Sequence, residues 1–163
     1  MKTFEELKED LLERAKKHHA CQDGYSMGLN AKSKQDLLKA ITDNWYWVLS
    51  TSKMIDANYL EKNFTEEELT EAGIYTRKEH TSNAKSFACG SATVKAYGSA
   101  TVEAYDSAKV EAYGSAKVEA YDNSYVEDCT GNINTVSDHG IVKDYHNHKI
   151  YIKKGKFKII EIE

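Results

Sequence analysis

The sequence predicts an α+β protein in two parts: a small N-terminal helical domain, then a β-solenoid (parallel β-helix-like) of octad repeats with a C-terminal β-hairpin cap. Three observations predict it. The first half places apolar residues at helical spacing behind Ser and Thr caps. The second half repeats an eight-residue phrase, such as SATVEAYD from Ser99 to Asp106, in which apolar and polar residues alternate with period two. Finally, the 163 residues contain no proline, the residue that cannot donate to a helix or to a strand ladder. The expected domains are residues 1–80 and 81–163.

The helical part starts at Thr3, which with Glu6 makes a capping box, and Phe4, Leu7, Leu11 and Ala15 form its stripe. Lys16, Lys17, His18 and His19 follow in the last turn, where positive charge meets the helix dipole. CQDGYSMGLNAK, Cys21 to Lys32, reads as a loop. Ser33 caps a second helix with Leu37, Ile41, Trp45 and Val48 inside, and its aromatic cluster NWYWVLS reads first as core packing, second as a ligand platform. A third helix covers MIDANYLEKNF. Thr65 with Glu68 opens a short fourth helix that Gly73 stops, and IYTRKEH leads out as a strand.

From Asn83 the octads run in phase to the tail. Alanine, valine and alanine occupy alternate positions, which defines a strand with one small apolar face; Tyr, then Gly or Asp, then Ser make the corner. The corner residue alternates Gly98, Asp106, Gly114, Asp122, so the true period is sixteen and two octads make one coil. Val94, Val110 and Val126 then stack on one wall, Val102 and Val118 on the other, with Tyr97 over Tyr113 and Tyr105 over Tyr121. An antiparallel meander is the competing arrangement. The tail IYIKKGKFKIIEIE, with Gly155 between two apolar runs, reads as a hairpin that closes an otherwise open edge.

MKTFEELKEDLLERAKKHHAC, ITDNWYWVLS, EAGIYT and the octads, taken in that order, resemble an uncharacterised family from gut anaerobes, their phages and mobile elements, whose members join a helical head to octad repeats. The resemblance covers nearly the whole chain and implies no activity and no site residue. The octad tube is also similar, by analogy alone, to pentapeptide-repeat proteins, some of which mimic DNA.

Composition narrows function. No apolar run approaches the ~20 residues of a membrane-spanning helix, and the charged start carries no apolar leader, so a cytoplasmic protein without membrane contact is expected. Cys21, Cys89 and Cys129 are an odd count and read as reduced thiols. A net charge of -4 argues against direct nucleic-acid binding. No cofactor loop, nucleophile elbow or paired catalytic carboxylates appear, so no enzyme is expected. Spaced acids, Glu103 and Glu119 on one wall and Glu111 and Glu127 on the other, predict contact residues Tyr97, Glu103, Tyr105, Glu111, Tyr113 and Glu119. The expected function is a non-enzymatic macromolecule-binding protein, specified as a phage or mobile-element inhibitor of a host defence nuclease, its partner a nucleic-acid-binding host protein. A self-associating spacer, dimeric through a wall or end of the tube, is the first alternative. A metal-binding protein using Asp138, His139, Asp144, His146 and His148 is the second. The Asp106, Asp122, Asp138 column is expected to bond its own turns, with calcium as the minor reading.

Overall fold

The computed structural model describes residues 1–132 and 135–162. Contacts divide the chain into two compact units, one up to Ile74 and one from Tyr75 onward.

In the first unit, α1 (Phe4–Lys17) starts at the Thr3–Glu6 capping box and buries Leu7 and Leu11. The segment after it is not a loop. Gln22–Asn30 forms α2, with Cys21 Sγ accepting the Gly24 N–H. Two glycines and no apolar stripe make this a poor helix by local propensity, and packing against α1 and α3 supplies what propensity does not. The Ser33-capped helix α3 (Lys34–Asp43) buries Leu37, Leu38 and Ile41. It does not continue to Val48 as one α-helix. The Asn44 amide bonds back to Ala40 O at 2.9 Å, and the chain resumes as a π-helical turn over Trp47–Thr51. The Ser52 hydroxyl closes that turn on Trp47 O at 2.8 Å. Helix α4 (Ala57–Asn63) is capped by Asp56, and α5 (Glu66–Glu71) by the Thr65–Glu68 box. Trp45, Leu38, Leu60 and Phe64 form the centre of this core.

The second unit is a parallel solenoid. One wall orders β1 (Ile74–Tyr75), β3 (Lys85–Ala88), β5 (Thr101–Ala104), β7 (Lys117–Ala120) and β9 (Thr135–Val136). The other orders β2 (Glu79–Ser82), β4 (Thr93–Ala96), β6 (Lys109–Ala112), β8 (Tyr125–Asp128), β10 (Ile141–Asp144) and β11 (Lys149–Ile152). Odd and even octads therefore go to different walls, and the meander is excluded. Val94 pairs with Val110 and Val110 with Val126 on one wall; Val102 pairs with Val118 on the other. All five are buried, as are the alanines beside them. Each valine contributes about 1.5–3 kcal/mol of burial, and alanine lets the walls approach.

The solenoid begins earlier than the repeat does. Glu79 pairs with Thr93, two residues short of the sixteen-residue step that joins Thr93 to Lys109, so the first coil is out of phase with the octads. The boundary accordingly falls at Ile74, ahead of residue 80. At the other end the inner face turns polar. Asp128 and Asp144 occupy the inward position held by Ala96 and Ala112, and both are buried. Asp128 accepts from the Thr130 N–H at 2.8 Å and its hydroxyl at 2.6 Å, and Asp144 from the Asn147 N–H and side-chain amide, each at 2.8 Å. Those bonds from Asn147 hold the Asp144 carboxyl below the ordinary carboxylate range. A C-terminal hairpin is present, but it joins β10 to β11, with Ile141 opposite Ile152. Its turn is Tyr145–His148, not Gly155, and no strand follows in the described residues after Ile152.

Corners are built alike. Ala100 N–H donates to Tyr97 O at 3.1 Å and Ala108 N–H to Tyr105 O at 3.1 Å, each closing a four-residue turn. The residue after Tyr has positive φ: +59° at Gly98, +53° at Asp106, +66° at Gly114 and +51° at Asp122. On the glycine edge the coils touch, for a Cβ on Gly114 would lie 3.3 Å from Gly98 N. On the other edge the Asp106 carboxylate accepts the Gly90 N–H at 3.0 Å, one coil back. The aspartates were expected to bond their own turns. In a stacked coil the nearer donor belongs to the neighbouring turn, and that bond offsets the strain of positive φ. Asp106→Ala, which keeps the strain and loses the bond, is expected to destabilise the solenoid by about 1–3 kcal/mol, while Asp106→Gly costs less. Chemical denaturation of the two variants checks this order.

Candidate functional site

The six surface residues predicted from sequence divide between the two walls, as the sixteen-residue period predicts. Glu103, Tyr105 and Glu119 lie along β5 and β7; Tyr97, Glu111 and Tyr113 belong to β4, β6 and their corners, on the opposite wall. Register does align what was expected to align: Glu103 pairs with Glu119, and Glu111 with Glu127. The tyrosine stacks also form. Tyr97 and Tyr113 rings lie 5.1 Å apart, and Tyr105 and Tyr121 rings 4.7 Å apart.

Stacking and burial are different properties, however. Tyr105 is 0% exposed and Tyr97 42%. Tyr105 follows Cys89 in its column, with Tyr121 beyond it, so both sides are covered. Contrary to the sequence expectation, it is no contact residue, because its ring is fully covered. Burial, with Glu103 nearby, pushes its phenol well above the ordinary tyrosine range.

The carboxylates are largely spoken for. Glu103 accepts from the Tyr105 hydroxyl at 3.4 Å and pairs with Lys85 at 3.3 Å. Glu119 accepts from the Tyr121 hydroxyl at 2.6 Å. Glu111 accepts from the Tyr113 hydroxyl at 3.2 Å, and Lys109 lies 3.4 Å from both Glu111 and Glu127. Side chains of Glu103 and Glu111 are only 16% and 18% exposed. Such pairs stabilise little, about 0–1 kcal/mol each, but they cancel the field a phosphate-like column would need.

The histidine stretch is also dispersed. His146 and His148 were expected to share the face of a strand; they stand in the β10–β11 turn instead, and His148 has a φ of +55°. His139 meets Phe157 edge-on at 5.7 Å, Asp144 is buried against Asn147, and His146 packs over Gly131. Among the described residues no three His, Cys, Asp or Glu side chains converge as metal ligands.

What sequence reading underrated is the C-terminal end of the tube. Strands β9 and β11 are the last of their walls among the described residues. Beside them, Ile150 is 66% exposed, Ile159 74%, Ile160 73% and Ile162 90%. Phe157 on His139, and the Lys153 ammonium at 3.5 Å from the Ser137 hydroxyl, hold the tail at this end. The signal was the run KFKIIEIE, assigned to a hairpin strand that does not form. No helix is long and apolar enough to cross a membrane among the described residues. Comparison of the chain with protein-family models, curated proteins and solved structures finds no match.

Proposed function

We propose that the protein is a non-enzymatic, self-associating structural module: the solenoid serves as a rigid spacer, and two copies meet through its C-terminal end. The observation that carries this reading is the exposed run Phe157–Ile162 at the end of the tube where β9 and β11 are, among the described residues, the last strands of their walls. Soluble monomers rarely leave a contiguous apolar segment uncovered, and an unpaired strand edge is a template for another strand. One end of the chain carries both a strand-patterned apolar segment and strand edges able to receive it. Two copies therefore satisfy each other reciprocally, as a twofold interface requires. Inhibition of a defence nuclease through an acidic wall draws less support, because the glutamates sit on two walls and are already paired with lysines and phenols.

Sedimentation velocity over a wide concentration range tests the proposal. The wild type is expected to shift toward dimer as concentration rises, and the shift is expected to persist in high salt because the contact is apolar. Ile159→Glu with Ile160→Glu is expected to leave a monomer with unchanged circular dichroism. A wild type that stays monomeric throughout, or a double variant that associates as before, overturns it. Association that dissolves in high salt instead favours the acidic walls.

A further inference from the structure

The helical unit contains a cleft that its own side chains do not fill. Its volume is about 220 Å³, and Leu11, Leu37, Ile41, Val48 and Met54 are among its walls. An engineered cavity of ~150 Å³ with comparable apolar walls stays dry and takes up benzene. The present space is larger, and half-buried Tyr25 and Trp47 are among its lining residues.

We propose that this cleft is a binding site for a small neutral aromatic molecule bearing one hydrogen-bond donor, of the phenol or indole class. Three observations, all independent of the association proposed above, lead there. First, α2 is built to cover the space and not to fill it. It buries no residue of its own, and Gly24 and Gly28, one turn apart, both line the cleft. Glycine within a helix costs about 1 kcal/mol relative to alanine, so two in nine residues disfavour the helix they belong to. Added side-chain atoms there would crowd the lining: a Cβ on Gly24 would lie 3.3 Å from Asn44 Oδ1, and one on Gly28 3.3 Å from Leu12 Cδ2.

Second, the fourth wall is the π-helical turn Trp47–Thr51. Such turns are rare and occur often at functional sites. The two neighbouring indoles, two residues apart, face different ways: Trp45 is 2% exposed in the core, whereas Trp47 lines the cleft. Trp45 thus fulfils the core reading made of the aromatic cluster from sequence.

Third, the lining selects a ligand chemistry. It contains no Lys, Arg, His, Asp or Glu, so nothing compensates a charged guest. Cys21, Tyr25 and Trp47 also carry polar atoms, but Asn44 alone among the lining side chains offers an amide oxygen as acceptor. Its Nδ2 donates to Ala40 O at 2.9 Å and lies 3.7 Å from Met27 Sδ, which assigns the amide and leaves Oδ1 as the acceptor beside Gly24. A ring with a hydroxyl or N–H donor fills the space and meets that oxygen; a bare ring fills it alone.

The test uses the full chain, phenol and benzene as probes, and amide chemical shifts as readout. Phenol is expected to give saturable shifts at residues of α1, α2, α3 and the π-helical turn, and to bind about threefold to tenfold more tightly than benzene. Asn44→Leu is expected to abolish that difference while benzene still binds. Ala40→Leu, which projects into the cleft, is expected to abolish both while melting no lower than wild type; Ala15→Leu, from the facing helix, repeats the test if Ala40→Leu does not fold. Absence of saturable shifts in the wild type overturns the proposal. So do shifts that survive in a folded, filled variant, or equal affinity for phenol and benzene.

Discussion

Tyr105→Ala is expected to lower the unfolding free energy of the solenoid by about 3–5 kcal/mol, the usual cost of deleting a buried aromatic ring. The ring is 0% exposed and stacks on Tyr121 at 4.7 Å, so its loss opens a void and removes half of an aromatic pair. Its position is the corner, where the turn from Tyr105 to Ala108 feeds one wall into the next. Tyr97→Ala, the same letter of the same repeat, is expected to cost far less because that ring is 42% exposed. Equal losses for the two variants in denaturant titrations would show that the corners are interchangeable and that stack position is irrelevant.

The same ring predicts an alkaline limit. Burial pushes the Tyr105 phenol above its ordinary value of 10.0, as does the hydrogen bond to Glu111 for Tyr113. A phenol whose folded pKa is raised holds its proton longer in the folded chain than in the unfolded one. Its contribution is complete below pH 10 and falls as pH climbs above that, because the unfolded chain ionises first. Melting followed from neutral pH upward is expected to show a drop beginning there, and Tyr105→Phe is expected to reduce its slope.

Gly140→Ala is the second large effect, about 2–4 kcal/mol. The position is the octad alanine site held elsewhere by Ala100, Ala108 and Ala116, all buried. Here a Cβ would lie 2.7 Å from Ala120 O and 3.1 Å from Ser137 O. Both are backbone atoms, and neither can move without cost: Ala120 O accepts the Ser137 N–H at 2.8 Å, and Ser137 O accepts the Gly140 N–H at 3.0 Å. Gly140 does not have positive φ, so the demand for glycine is one of space alone. Thermal melting of Gly140→Ala checks the steric account. Because φ is ordinary at this position, an alanine variant that melts near wild type would overturn it.

The corner alternation of Gly98, Asp106, Gly114 and Asp122 was the most informative feature of the sequence, because it sets the period at sixteen and with it every Val–Val and Tyr–Tyr column. Repetition makes register legible: any other pairing would mismatch the corners along the entire tube. Helix α2 was not legible, since its residues disfavour a helix locally and only α1 and α3 make it one. Nor was the first coil, whose shorter step hides it from the period.

By itself the chain's repeat pattern determined the strand faces, the stacking columns and the corners, since these follow from local alternation and an exact period. The tertiary structure alone decided what that pattern presents. It covered Tyr105 and left Tyr97 open, brought Lys109 between two carboxylates, and left Phe157–Ile162 exposed. Those outcomes depend on what lies one coil away or at the end of a stack, and residues with identical sequence neighbours differ in that respect.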